Sequence, residues 1–160
     1  MTTRQTLVPS SLLDRLLDDA PEESSEAVPE AWHDLPGYKR AVARDLEALL
    51  NTRCAAPGQE GFPAFPRADA SVLMFGIPDL SSLSLLDPAH RAFLQDALRH
   101  AIARYEPRLS NVRVSLDGAR GLHQALRFRV DGLLRTFRTR PPVSFDAMLQ
   151  LSSNTYRVKG

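Results

Sequence analysis

The sequence predicts an α+β domain, with N-terminal helices packed on one face of a C-terminal antiparallel sheet of three to four strands. Two observations carry that prediction. Up to about residue 105 the apolar residues recur three and four apart, and beyond it they alternate with polar ones. The helical segments also precede a run of consecutive strands, which describes segregated layers and not a βαβ alternation. A chain of 160 residues, 43% hydrophobic and 24% charged, suits one such core.

The N-terminal elements come first. Leu12, Leu13, Leu16 and Leu17 fall at helical spacing in residues 7–18, and Ser10 or Ser11 can cap that turn or short helix. Residues 18–30 are acidic and rich in Pro and Ser, the composition of a mobile linker. Residues 1–34 are therefore expected to form a short helix and an acidic flexible linker, and residues 35–160 a single α+β domain. A leucine-bearing segment on a tether is better suited to gripping a neighbour than to filling its own core.

A helix follows over roughly 35–53, where Tyr38, Val42, Leu46, Leu49 and Leu50 form one stripe. Three prolines and two glycines make residues 55–70 a loop, and Gly76 and Pro78 break the apolar segment 71–86 into packed irregular structure. Asp87 and Pro88 then supply a cap and a first-turn residue for a second helix. Its predicted buried stripe is Phe93, Leu94, Ala97, Leu98, Ala101, Ile102 and Tyr105, and Pro107 stops it at about Glu106.

Three half-buried strands come next. Their inward residues are Val112, Val114 and Leu116, then Leu126, Phe128 and Val130, then Val143, Phe145, Ala147, Leu149 and Leu151. Asp117-Gly118 and Gly121 mark the first turn, and Pro141-Pro142 delimits the third strand. Residues 155–158 add a short fourth strand.

Charge is unevenly placed. Residues 1–98 hold 8 Lys and Arg against 15 Asp and Glu, and residues 99–160 hold 12 against 4. The basic half has a field that suits an acidic partner or a phosphate backbone, unless the acidic half neutralises it internally. No apolar run is long enough to span a bilayer, and the N-terminus has no apolar signal core. The lone Cys54 forms no internal disulfide, which fits the reducing cytosol.

Catalytic and metal-binding patterns are absent from the spacing. There is no Gly-rich phosphate loop and no Gly-x-Ser-x-Gly elbow. His33, His90, His100 and His123 lack metal-ligand spacing and are expected to be ordinary surface or cap residues. A glycosidase needs two carboxylates facing each other about 5–10 Å apart. The basic half offers Glu106, Asp117, Asp131 and Asp146, and no spacing pairs Glu106 with another. The expectation is therefore no enzyme, no catalytic residue, no metal and no cofactor.

The triplet Glu106-Pro107-Arg108 stands apart. A carboxylate at a helix C-terminus faces the negative end of the macrodipole, at a cost of about 0.3–1 kcal/mol. Two explanations fit. The pair can be a local ion pair that caps a turn, of little worth if exposed. Alternatively it is a preformed charged corner, with Glu106 accepting from a partner's arginine and Arg108 gripping a partner's carboxylate.

Four ordered segments carry a resemblance. They are Ser11-Leu12-Leu13-Asp14-Arg15-Leu16, Asp45 to Arg53 (Asp-Leu-Glu-Ala-Leu-Leu-Asn-Thr-Arg), Ser71 to Leu80, and Tyr105-Glu106-Pro107-Arg108-Leu109. Together they resemble the TssE family, small baseplate-wedge subunits of the type VI secretion system, similar to a wedge protein of contractile phage tails. The resemblance implies a cytoplasmic structural subunit that sits with TssF, TssG and other baseplate subunits and contacts the first ring of the TssB–TssC sheath. It also assigns partner binding to Glu106, Pro107 and Arg108. A fold similar to part of the sheath protein implies strand addition, for which Tyr156, Arg157, Val158 and Lys159 would offer a short charged edge.

Two other classes of function remain open at this point. Arg113, Arg127 and Arg129 on an exposed sheet face, with Arg135, Arg138 and Arg140 beyond, are compatible with a nucleic-acid-binding module, although Phe128 points the other way and nucleic acid is not the expected partner. The family's lysozyme-like label suggests a glycoside hydrolase, against which the missing carboxylate pair argues.

Overall fold

A computed structural model describes residues 7–16, 22, 32–54, 71–79, 83–117 and 125–160. Apart from residue 22, the expected linker over 18–30 lies outside these. So do the loop over 55–70, the turn at Gly118 and Gly121, Leu17 and His123. The elements are β1 (Val8–Pro9), α1 (Leu12–Leu16), β2 (Trp32–His33), α2 (Leu35–Asn51), α3 (Pro88–Tyr105), β3 (Leu109–Leu116), β4 (Ala125–Leu134), β5 (Pro142–Gln150) and β6 (Thr155–Lys159). β3 to β6 form an antiparallel meander in chain order, and β1 and β2 pair separately as a two-stranded antiparallel ribbon. The chain is thus α+β. No helix among the described residues is long and apolar enough to cross a membrane.

Both long helices start as their sequences require. The Asp34 carboxylate accepts from the Gly37 amide at 2.8 Å, and that of Asp87 from the Ala89 amide at 2.8 Å, each with a proline in the first turn. Leu46, Leu49 and Leu50 of α2 and Leu94, Leu98 and Ile102 of α3 meet Leu126, Phe128, Val130, Phe145, Leu149 and Tyr156 of the sheet in one core. The alternation in the strands therefore sorts apolar residues to the helix-covered face and charged residues to the other.

Several expectations need correction. Phe93 is 53% exposed and not part of the α3 stripe, because Leu94 and Leu98 face the sheet one position further round. Leu151 falls in the β5–β6 turn, past the end of the strand, and is exposed. Within the expected irregular segment 71–86, one 3-10 turn, Val72–Met74, is followed by Gly76 at φ +115°. A Cβ on Gly76 would lie 2.4 Å from the Thr52 carbonyl oxygen, so glycine is required there. This close approach lets Ile77 exchange backbone hydrogen bonds with Thr52 and Cys54 and bury its side chain completely.

The expected open edge at β6 is closed. α2 runs alongside it and its polar side chains occupy the place of a fifth strand. The Asn51 amide donates to the Tyr156 carbonyl at 3.0 Å and accepts from the Tyr156 amide at 2.9 Å. Glu47 accepts from the Val158 amide at 2.8 Å, and Arg53 donates to the Asn154 carbonyl at 3.0 Å. Gly160 lies against Lys39, where a Cβ would come within 3.1 Å of the carbonyl oxygen. Four outward peptide groups along this edge, the Asn154 carbonyl, both groups of Tyr156 and the Val158 amide, are thereby satisfied within the chain.

Replacing Asn51 with Ala leaves both peptide groups of Tyr156 without their partner. The expected loss is about 1–3 kcal/mol in urea unfolding, with faster amide hydrogen exchange at Tyr156.

Candidate functional site: a charged corner at the helix–sheet junction

Glu106 is the residue that ends α3. Its amide still donates to the Ile102 carbonyl at 2.9 Å, while its own carbonyl accepts from the Leu109 amide at 3.1 Å. Pro107, exposed to solvent, makes the corner, and β3 begins at Leu109. Glu106 is only 4% exposed, so the triplet is not a pair of surface charges.

The arginine two residues later holds this buried carboxylate. Arg108 Nε donates to Glu106 Oε1 at 2.5 Å, and Nη2 donates to Glu106 Oε2, a two-pronged contact. The same Nη2 reaches Asp45 Oδ2 on α2 at 2.7 Å. Tyr38 lies beneath, with its ring centroid 5.8 Å from the guanidinium carbon and its hydroxyl 2.7 Å from Thr136 Oγ1. Burial disfavours the charged form of Arg108, but Glu106 and Asp45 outweigh it and push its pKa up. The Arg108 side chain keeps 17% of its surface exposed. Its Nη1 has no partner among the described residues and is not among the buried unpaired atoms.

From Asp45 the charges continue outward in alternation. Arg44 Nη2 bonds Asp45 Oδ1 at 2.8 Å and Asp14 Oδ1 at 2.6 Å. Asp14 belongs to α1, where its other oxygen accepts from the Ser11 amide and hydroxyl. That carboxylate is 7% exposed. Burial raises its pKa, but the bonds from Ser11 and Arg44 prevail and bring it from 3.8 to about 2. Asp14 thus ties α1 down by its polar side, and Val8 of β1 reaches the core. Leu12, at 75% exposure, and Leu16, at 71%, face solvent together with Leu13.

Asp45, Arg44 and Asp14 were not picked out as site residues from the sequence. The signal available was the position of Asp45 at the head of the segment Asp45 to Arg53. Glu106 and Asp45 are the two carboxylates brought together here, and Arg108 stands between them where a glycosidase would need open space for a sugar and water. Among the described residues no three His, Cys, Asp or Glu side chains come together as a metal-binding set.

The profile of the family described as baseplate wedge protein gp25 matches residues 37–138, a span that includes Asp45 and the whole triplet. The chain belongs to the gp25 baseplate wedge family. Its similar proteins include the anti-adapter protein IraD of Salmonella arizonae, 33% identical over 99 residues, which cover 62% of this chain and 71% of that protein. IraD of Salmonella typhimurium is 30% identical over 128 residues, covering 80% and 82% of the two chains. Among solved structures, one described as a candidate tail lysozyme from Geobacter sulfurreducens aligns with a TM-score of 0.49 at 16% identity, over 74% of this chain and 96% of that one. The gp25-family match begins within α2, so α1 and its leucines lie outside it.

Two outcomes are expected. Arg108→Met leaves Glu106 buried without its counter-charge and should cost about 3–5 kcal/mol, much of it recovered when Glu106→Gln is added. Urea unfolding of the three variants measures this. Asp14 contributes stability fully present above its unfolded pKa near 4 and lost as pH falls towards 2. Acid titration of stability should therefore be shallower in Asp14→Asn across that window.

Proposed function

We propose that this gp25-family chain is a structural baseplate subunit of a type VI secretion system, of the TssE kind. It is a cytoplasmic protein without catalytic activity, which docks on the wedge proteins TssF and TssG and contacts the first TssB–TssC sheath ring. The observation that carries the docking role is the state of Arg108. Two carboxylates hold its guanidinium in place, while Nη1 has no partner among the described residues and 17% of the side chain is exposed. A guanidinium immobilised before binding loses little side-chain entropy when a partner's acceptor arrives.

The three residues of the triplet then have different parts. Arg108 contacts the partner, Pro107 forms the rigid rim, and Glu106 positions Arg108 from within. The outward leucines of α1 complete the surface, because Asp14 fixes the segment by its polar side and leaves the apolar side free. Since α2 closes β6, contact with the sheath uses a surface other than that edge.

Co-purification with a TssF–TssG complex tests this. Arg108→Lys keeps the charge but loses the fork, and it should weaken capture by about tenfold or more. Leu12→Ser combined with Leu16→Ser should do the same. Thermal melting identifies the variants that remain folded. Full-strength capture by both folded variants would remove this surface from the interface. Retention on single-stranded DNA at physiological salt would favour nucleic-acid binding instead.

A further inference from the structure

The outward face of the sheet is uncovered, and its charges do not balance. The register places Asp117, Arg127, Met148 and Arg157 in one row across the strands, and Ser115, Arg129, Asp146 and Lys159 in the next. Arg129 bonds Asp146 at 3.0 Å. Arg127 and Arg157 flank Met148 and, like Lys159, make no ion pair among the described residues. Residues 118–124 and 151–154, which join the strands at this end, contain no carboxylate. The face forms a shallow hollow of about 450 Å³ here.

We propose that this hollow binds an acidic helix of a partner protein, with one carboxylate on Arg127, one on Arg157, and an apolar side chain between them on Met148. The inference is independent of the baseplate reading. Adjacent strands lie about 4.8 Å apart, so the two arginines are separated by about 10 Å at the backbone. Two turns of helix, seven residues, rise about 10.5 Å, and the residues midway fall on the same side. Guanidinium forks match carboxylates in geometry as well as charge.

A nucleic-acid backbone fits this face less well. Asp117 and Asp146 sit among the cations and would lie against a continuous chain of phosphates. Phe128 and Tyr156 are buried in the core and offer no ring for a base to stack on.

The test is fluorescence anisotropy on the full chain, with two alanine-based helical peptides. One carries Glu at positions 4 and 11 and Leu at 8, and the other has Gln in place of both Glu. The Glu peptide should bind, and binding should weaken as salt rises past about 0.15 M. Arg127→Gln with Arg157→Gln should weaken it at least tenfold, whereas the exposed control Arg138→Gln should leave it unchanged. All these positions are solvent-facing, and unchanged melting temperatures verify the fold. Equal binding of the Gln peptide, or none lost in the double variant, overturns the proposal. So does binding of a single-stranded DNA oligonucleotide that requires both arginines and that the Glu peptide fails to displace.

Discussion

Arg108 is placed where α2, the end of α3 and the start of β3 meet, and the junction depends on its charge being shared. Removing ionised groups from water costs several kcal/mol each. Glu106 carries that cost most heavily, being nearly enclosed, and Arg108 offsets it with two parallel bonds. The bond onward to Asp45 anchors the same guanidinium to a helix 63 positions away in sequence. The junction of α3 with β3 and the position of α2 beside it are therefore tied through one side chain. Such a centre gives orientation more than stability, since an apolar replacement of the same shape can be as stable.

Beyond this centre the alternating charges run through the exposed Arg44 to Asp14, whose carboxylate is again nearly buried. The Arg44 side chain is well exposed, and an isolated pair at such a site is worth little. Its value is geometric, because Arg44 connects Asp45 to Asp14 and so connects the junction to α1. With α1 fixed through Asp14, Leu12, Leu13 and Leu16 face outward.

Much of this fold was legible in the sequence because local rules sufficed. Asp34 and Asp87 cap helices where short-range hydrogen bonding predicts, Pro107 ends α3, and period-two alternation sorts the strands. The structure shows that the triplet's charges do pair locally, but their burial was not legible. Arg108, which holds the buried Glu106, is itself placed by Asp45 and Tyr38, both distant in sequence. The same holds for Asn51 and Glu47. Both look like solvent-side residues of an amphipathic helix, and nothing local reveals that a strand more than 100 positions later needs their side chains. Phe93 failed for the opposite reason, since an aromatic near an apolar stripe was assigned to it although the helix presents that position to water.

The seam between α2 and β6 also orders events in time. On the ribosome α2 is complete about a hundred residues before β6 emerges, and until then Glu47 and Asn51 lack the peptide groups of Val158 and Tyr156. Tyr156, fully buried in the finished core, is missing for the same interval. Contacts of such long sequence separation are entropically costly to close and form late. That flank of the core is sealed only once β6 docks on α2.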